Sequence, residues 1–325
     1  MRTLRYNQAV REALFQEMAR DERVFVYGED VAHHGGVFRV TEGLLDRFGP
    51  ERVFDTPIAE SGIVGLGVGA ALMGMRPVAE IQFTDLITVA MDQLISSAAK
   101  ARFVTDGAMH VPLVVRTVNL GKGTVYSGQA LEAWFTHVPG LKVVVPSSPH
   151  DAKGLLISAI EDRDPVLFFE HRDLYSLAGA VPEERYSIPL GQAQVCREGS
   201  DVTVVAYSAM VETAKEAAEV LAGEGVDVEI LDLRTLVPFD KKTAVASVCK
   251  TGRLVIAHEA VQRAGFGAEV AATVADSEAF GYLQAPIVRV ANPNVPVPYS
   301  KALHSYALPS QEEIVKAVRR VMTYA

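Results

Sequence analysis

Cationic side chains are in deficit: 31 Lys and Arg face 40 Asp and Glu across 325 residues, a formal charge of −9. A protein that grips a phosphate backbone needs a basic surface, so nucleic acid is excluded as the main partner. Cysteine is scarce too. Cys196 and Cys249 stand far apart, too few for a disulfide scaffold or a zinc site, and they suit a reducing cytosol. No uninterrupted apolar run reaches the roughly 18 residues of a bilayer-spanning helix, so no membrane segment is expected. The opening MRTLRYNQAVREALFQEMARDE is charged throughout and lacks the apolar centre of a signal peptide. Disorder is excluded by composition, since only 22% of residues are charged while 49% are hydrophobic. The expectation is a cytoplasmic protein long enough for two domains.

Strand-like and helix-like segments alternate. Val10, Leu14 and Met18 recur at four-residue spacing, widened by Ala13 and Phe15, and predict an amphipathic helix. Val24 to Tyr27 reads as a strand ending at Gly28. Further strand-like runs are Arg76 to Phe83, Val111 to Val118, Leu141 to Ser147 and Pro165 to His171. Helical patterns lie between them, notably SGIVGLGVGAALMG and DLITVAMDQLISSAAKARFV. This alternation predicts an α/β fold with largely parallel sheets covered on both faces. From about Ser176 to Ser200 the character changes, with Pro182, Pro189 and the acids Glu183 and Glu184, which reads as a linker. DVTVVAYS, MVETAKEAAEVLAGEG and VDVEILDL then spell a βαβ unit. RLVIAHEA and APIVRVAN supply later strands, and Ser310 with Glu313 predicts a capping box on the last helix.

Chemical motifs are sparse. Gly62, Gly65, Gly67 and Gly69 lack the spacing of a dinucleotide fingerprint and read as small residues for close helix packing. Glu60 precedes an apolar, glycine-rich helix, where a carboxylate caps the helix or serves chemistry. Glu29 and Asp30 follow a strand end, the place where α/β proteins bind ligands or simply turn. His33 and His34 are adjacent and read as loop, with no further ligand spaced to complete a metal site. His137 and His258 are ambiguous in the same way. The loop GKGTVYSGQALEAWF (residues 121–135) approaches a ligand or turns. Taken alone, these residues name no reaction.

DTPIAESGIVGLGVGAALMGMRPVAEIQF, YGEDVAHHGGVFRVTEGLLDRFGPERV, HVPGLKVVVPSSPHDAKGLLISAIEDRDPVLFFE, LDLRTLVPFD and VPVPYSKALHSYALPSQEEI occur in order across the chain. Together they resemble the β subunits of thiamin-diphosphate-dependent 2-oxo acid dehydrogenase E1 components, of pyruvate, branched-chain and acetoin type. The resemblance implies a transketolase-like pyrimidine-binding domain over residues 1–180, a linker over 181–200, and a transketolase C-terminal domain over 201–325. It implies an α subunit in an α2β2 heterotetramer and a lipoyl-bearing E2 acyltransferase or carrier protein as acyl acceptor. A G-D-G motif with a following asparagine is missing here, so the α subunit is expected to hold the diphosphate and Mg²⁺ and this chain the aminopyrimidine.

The same resemblance puts the catalytic glutamate at Glu60, whose carboxyl hydrogen-bonds N1′ of the aminopyrimidine and favours the imino tautomer that deprotonates the thiazolium. It puts Glu29, Ile58, Gln82 and Leu86 around the pyrimidine. It matches Leu113, Ala159, Ile160, Asp162 and Asp164 to a structural monovalent-cation site, usually K⁺. Two departures stand out. Leu86 occupies a position commonly aromatic, which removes ring-on-ring stacking. Ser127, in the loop with Tyr126 and Gln129, stands where the family has a histidine facing the reacting carbon, and a serine is no imidazole acid–base. Decarboxylation of a 2-oxo acid is therefore weighed against two-carbon ketol transfer from a ketose phosphate, acetoin cleavage, and a subunit that has lost catalysis.

Overall fold

A computed structural model of the chain describes residues 2–123 and 125–324. The chain divides into two compact units: residues 1–120 with 134–190, and residues 121–133 with 191–325.

In the first unit, the strands are β1 (Arg2–Arg5), β2 (Val24–Gly28), β3 (Val53–Asp55), β4 (Arg76–Ile81), β5 (Val114–Asn119), β6 (Lys142–Val144), β7 (Val166–His171) and β8 (Ala178–Val181). The main sheet of this unit runs β6-β7-β5-β4-β2-β3, with every pair parallel. β1 and β8 form a separate antiparallel pair. Strands β2, β5 and β7 are buried along their whole length, which is why they read as continuous apolar runs rather than as alternations. The helix Tyr6–Arg20 buries Val10, Ala13, Leu14 and Met18, the face its spacing predicts. The helix Glu60–Leu72 packs closely because of one glycine in particular. A Cβ on Gly67 would lie 2.4 Å from the Tyr27 hydroxyl oxygen, whereas one on Gly69 would meet nothing. That hydroxyl donates to the Ile63 carbonyl at 2.8 Å.

The run after β4 is not one helix. It is a 3₁₀ stretch (Thr84–Ala90), a π stretch (Gln93–Ala98) and a short α turn (Ala101–Val104). Ile87, Thr88 and Val89 are successive β-branched residues and Ser96 and Ser97 form weak helix, so periodicity overstates the regularity. Nearby chain segments are tied by a buried lysine. Lys153, fully buried in the helix Pro149–Glu161, donates from Nζ to Glu12 at 2.6 Å and to the carbonyls of Pro182 and Glu184 at 2.8 and 2.9 Å.

The second unit holds β9 (Gln194–Arg197), β10 (Val202–Ala206), β11 (Val228–Asp232), β12 (Thr235–Val237), β13 (Leu254–Val261) and β14 (Val288–Asn292). Its five-stranded sheet runs β14-β13-β10-β11-β9, with only β9 antiparallel to its neighbour. The helices Met210–Ala222 and Gln311–Met322 cover one face with Val211, Ala214, Leu221, Ile314 and Val318. The last helix begins with the expected capping box, in which Ser310 accepts from the Glu313 amide and donates its own amide to the Glu313 carboxylate. Among the described residues, no helix is long and apolar enough to cross a membrane.

Three of the first unit's apolar strands each bury one charged side chain. Arg116 on β5, shut off from solvent, donates to Glu80 on β4 at 2.6 Å and to Glu170 on β7 at 2.7 Å. The Tyr175 hydroxyl completes the Glu170 carboxylate at 2.9 Å. Burial pushes the Glu170 carboxyl up, and the Arg116 charge pulls it back down. Arg116→Met leaves two buried carboxylates without their cation, and the expected cost is about 3–5 kcal/mol near neutral pH. The loss should shrink on acidification, as the stranded acids take up protons, when denaturant unfolding is compared near neutrality and in mild acid.

Candidate active site

Parallel register carries three loops to one edge of the sheet. Gly28 on β2, the strand between β4 and the edge strand β3, is paired with Asp55 of β3 and with Glu80 of β4. The chain therefore leaves this edge at Glu29 after β2, at Thr56–Ala59 after β3, and at Gln82 after β4. The carboxyl ends of parallel strands are where such sheets bind ligands. Gly28 has φ +151°, and a Cβ there would meet the Glu80 carbonyl oxygen at 2.4 Å, so glycine alone lets the strands close at this edge.

The loop after β2 is fixed by its own polar groups. Asp55 accepts from the amides of Ala32 at 2.7 Å and His33 at 3.3 Å, and its Oδ2 lies 2.5 Å from His33 Nδ1. Thr41 donates its hydroxyl to the Val31 carbonyl at 2.6 Å. His33 thus serves the loop through Asp55. Glu60 is the first residue of its helix, and the residue before it, Ala59, offers no side-chain cap. Ile58 stands 82% exposed just before that turn, while Gln82 and Leu86 are half-buried.

Glu29 and Glu60 are only 8% and 7% exposed. Burial, reinforced by the negative charges of Glu60 and Asp30, holds the Glu29 carboxyl above its ordinary range. Among the described residues, neither carboxylate has a hydrogen-bond donor or a cationic partner, although the hydrogen bonds of the loops around them are made. Largely buried acids with no donor from the chain itself, and with some access left at their oxygens, are placed to accept from a ligand. Two adjacent acceptors of this kind suit a ligand that presents protonated ring nitrogen or an amino group.

The second unit holds the other candidate residues. Tyr126 is 85% exposed, Ser127 and Gln129 are half-buried, and the buried Glu132 at the end of this loop accepts from the Tyr207 hydroxyl at 2.7 Å. Thr124 of the same loop lies outside the described residues. A wide, mainly apolar groove of the first unit is lined by Ile95, Phe103, Val104, Val111 and Pro139; it contains neither Glu29 nor Glu60, although Asp164 lies at its wall.

Leu113, Ala159, Ile160, Asp162 and Asp164 also come together, at the opposite end of the strands. Val166 donates its amide to the Leu113 carbonyl at 2.9 Å, and Asp162 donates its amide to the Ala159 carbonyl at 3.3 Å. Arg76, Lys142 and Arg102 reach the other members of the set. Arg76, Asp55 and the Glu80–Arg116–Glu170 group are the residues that the sequence reading passes over. The available signal is a lone charge inside an apolar strand, as in VPLVVRTV and PVLFFEH.

Glu29 titrates higher in the folded protein than in the unfolded chain. Its contribution is thus fully favourable below the ordinary carboxyl value of 4.5 and is lost as pH rises through its raised value. Glu29→Gln should accordingly raise the thermal midpoint of the unliganded protein near neutral pH, by a few degrees at most, and the gain should vanish in acid. Thermal unfolding across a pH series checks this. A midpoint lowered at neutral pH would contradict it.

Two family models match in order. The pyrimidine-binding domain of transketolase matches residues 2–177, and the transketolase C-terminal domain matches residues 191–314. The chain is 44% identical over 328 residues to the 2-oxoisovalerate dehydrogenase subunit beta of Bacillus subtilis, with 100% of both chains covered. It is 46% identical to the acetoin:2,6-dichlorophenolindophenol oxidoreductase subunit beta of Cupriavidus necator, covering 99% of this chain and 98% of that one. It is 45% identical to the pyruvate dehydrogenase E1 component subunit beta of Rickettsia felis, covering 98% of each. A solved split-gene transketolase, described as an inactive beta4 tetramer, superposes with a TM-score of 0.81 at 24% identity over 97% of each chain, a likeness of fold alone. With both domains matched and likeness running end to end, the chain belongs to the transketolase-like β subunits of thiamin-diphosphate-dependent 2-oxo acid dehydrogenase E1 components.

Proposed function

We propose that this chain, paired with an α subunit, supplies the aminopyrimidine half of the thiamin diphosphate site of an enzyme that decarboxylates a 2-oxo acid and passes the acyl unit to a lipoyl or carrier thiol. The observation that carries this reading is the pair of buried, donorless acids, Glu60 and Glu29, at the carboxyl edge of the sheet. Thiamin diphosphate, when bound, supplies a nucleophilic carbon and a sink for the electron pair released when a bond to the carbonyl carbon breaks.

On this reading, Glu60 holds a proton between its carboxyl and the ring nitrogen N1′, and the low-dielectric surroundings make that hydrogen bond strong. Glu29 favours a protonated neighbour by its charge. Ile58 and Leu86 give the ring apolar contact, and Gln82 an amide at its edge. Leu86 packs without stacking, so shape rather than ring geometry orients the pyrimidine here. The diphosphate and Mg²⁺ fall to the α subunit in an α2β2 assembly, and an E2 acyltransferase or carrier protein takes the acyl group. We take residues 1–180 as the pyrimidine-facing domain, 181–200 as a linker and 201–325 as the C-terminal domain. A reducing cytosol suits the two free cysteines.

Ser127 favours a second reading. Where an imidazole is missing from the substrate loop, cleavage that needs no decarboxylation, of acetoin or of a ketose phosphate, becomes a competitor. Co-expression with the cognate α subunit, followed by assay of 2-oxo acids, acetoin and ketose phosphates with an artificial electron acceptor, separates the two. The expected result is turnover of a 2-oxo acid that falls at least about 100-fold in Glu60→Gln. Turnover confined to ketose phosphates or acetoin moves the protein to the second reading. A Glu60→Gln enzyme as active as the native one removes both.

A further inference from the structure

Family resemblance assigns the 159–164 segment to a monovalent cation, yet the chain's own cations already engage its donors. A single guanidinium nitrogen of Arg76 donates to the backbone carbonyls of Ile160 at 2.6 Å and Asp162 at 3.0 Å. Nζ of Lys142 lies 2.7 and 2.6 Å from the two carboxylate oxygens of Asp162, and 3.7 Å from Asp164. Arg102 donates to the Asp164 carboxylate at 2.8 Å, and His110 Nδ1 lies 3.8 Å from its other oxygen. The amide of Asp164 donates to Asp162 at 2.9 Å, which closes the turn on itself.

Charge leads to the same conclusion. Arg76, Lys142 and Arg102 bring three positive charges to the two carboxylates of Asp162 and Asp164, an excess before any ion is added. Two further carboxylates act on Arg76, and each has cations of its own: Asp21, 3.8 Å away, is held at 2.7 Å by Arg23, and Glu161 is paired with Arg20 and Arg185. A guanidinium keeps its proton at every pH a protein meets. An ion bonded to the Ile160 and Asp162 carbonyls would have to sit against that permanent charge.

We infer that Arg76 is the resident cation of this carbonyl cradle, and that the segment takes no monovalent metal ion. The donor set does not fit K⁺ as the resemblance implies. The point is independent of which substrate the enzyme cleaves.

Thermal unfolding of the full-length chain in KCl, NaCl and choline chloride at matched ionic strength tests it. A specifically bound ion makes the midpoint depend on that ion's concentration, so the expected midpoints agree within about 1 °C in the three salts. A saturable rise given by K⁺ and by neither Na⁺ nor choline overturns the inference. Arg76→Met vacates the cradle, and its midpoint should fall and become raised by K⁺. An Arg76→Met chain that unfolds like the native one in all three salts also overturns it. The native comparison decides the matter even where the variant fails to fold.

Discussion

Arg116 is the constraint on which the first unit is built. A guanidinium with no access to water must be met by acid, and it is met on both sides, by Glu80 directly across from it in register and by Glu170 from the far strand. One side chain thus pins three adjacent parallel strands by ionic hydrogen bonds. Apolar packing tolerates small slips, whereas a buried ion pair does not, so the network fixes the relative heights of β4, β5 and β7. The effect reaches the candidate site through Glu80. A Cβ on Gly36 would stand 3.5 Å from the Glu80 carboxylate, so the loop that follows Glu29 rests on the same acid that holds Arg116.

Above that foundation the site itself runs against stability. Glu29 and Glu60 are neighbouring, largely buried acids with nothing of this chain's own to donate to them, and burial together with the charges of Glu60 and Asp30 pushes the Glu29 carboxyl up. Natural proteins keep such arrangements where a ligand or a reaction uses them. The surrounding loop is ordered at the same time, by Asp55 on two amides and an imidazole and by Thr41 on a carbonyl. Rigid support with unsatisfied acids at its centre is the arrangement expected of a site that waits for a cation-bearing ring.

Much of this was legible in the chain itself. Strands such as Val24–Gly28 and Val166–His171 announce themselves as apolar runs because both faces are covered, and the helix Tyr6–Arg20 buries the face its spacing marks. The broken segment after β4 was not legible, because helical periodicity does not distinguish α from 3₁₀ or π geometry. Local spacing also leaves the role of Glu60 open, since a carboxylate at a helix start serves equally as a cap. The family motif around it assigned the role, and burial without a donor is what the fold adds. Arg76, Lys142 and Arg102 were invisible for a different reason. Their partners at Asp162 and Asp164 lie from about 20 to more than 80 residues away, and only folding brings them together.

The central claim is that Glu60 controls proton movement on the aminopyrimidine. The measurement closest to it is the rate at which the thiazolium C2 proton of bound thiamin diphosphate exchanges with D₂O, followed by quenched-flow NMR on the complex with the α subunit. It requires no substrate and is blind to the question raised by Ser127. The account predicts fast exchange in the native complex and a rate near that of free cofactor in Glu60→Gln, with the cofactor still bound. Exchange as fast in Glu60→Gln as in the native complex would contradict it.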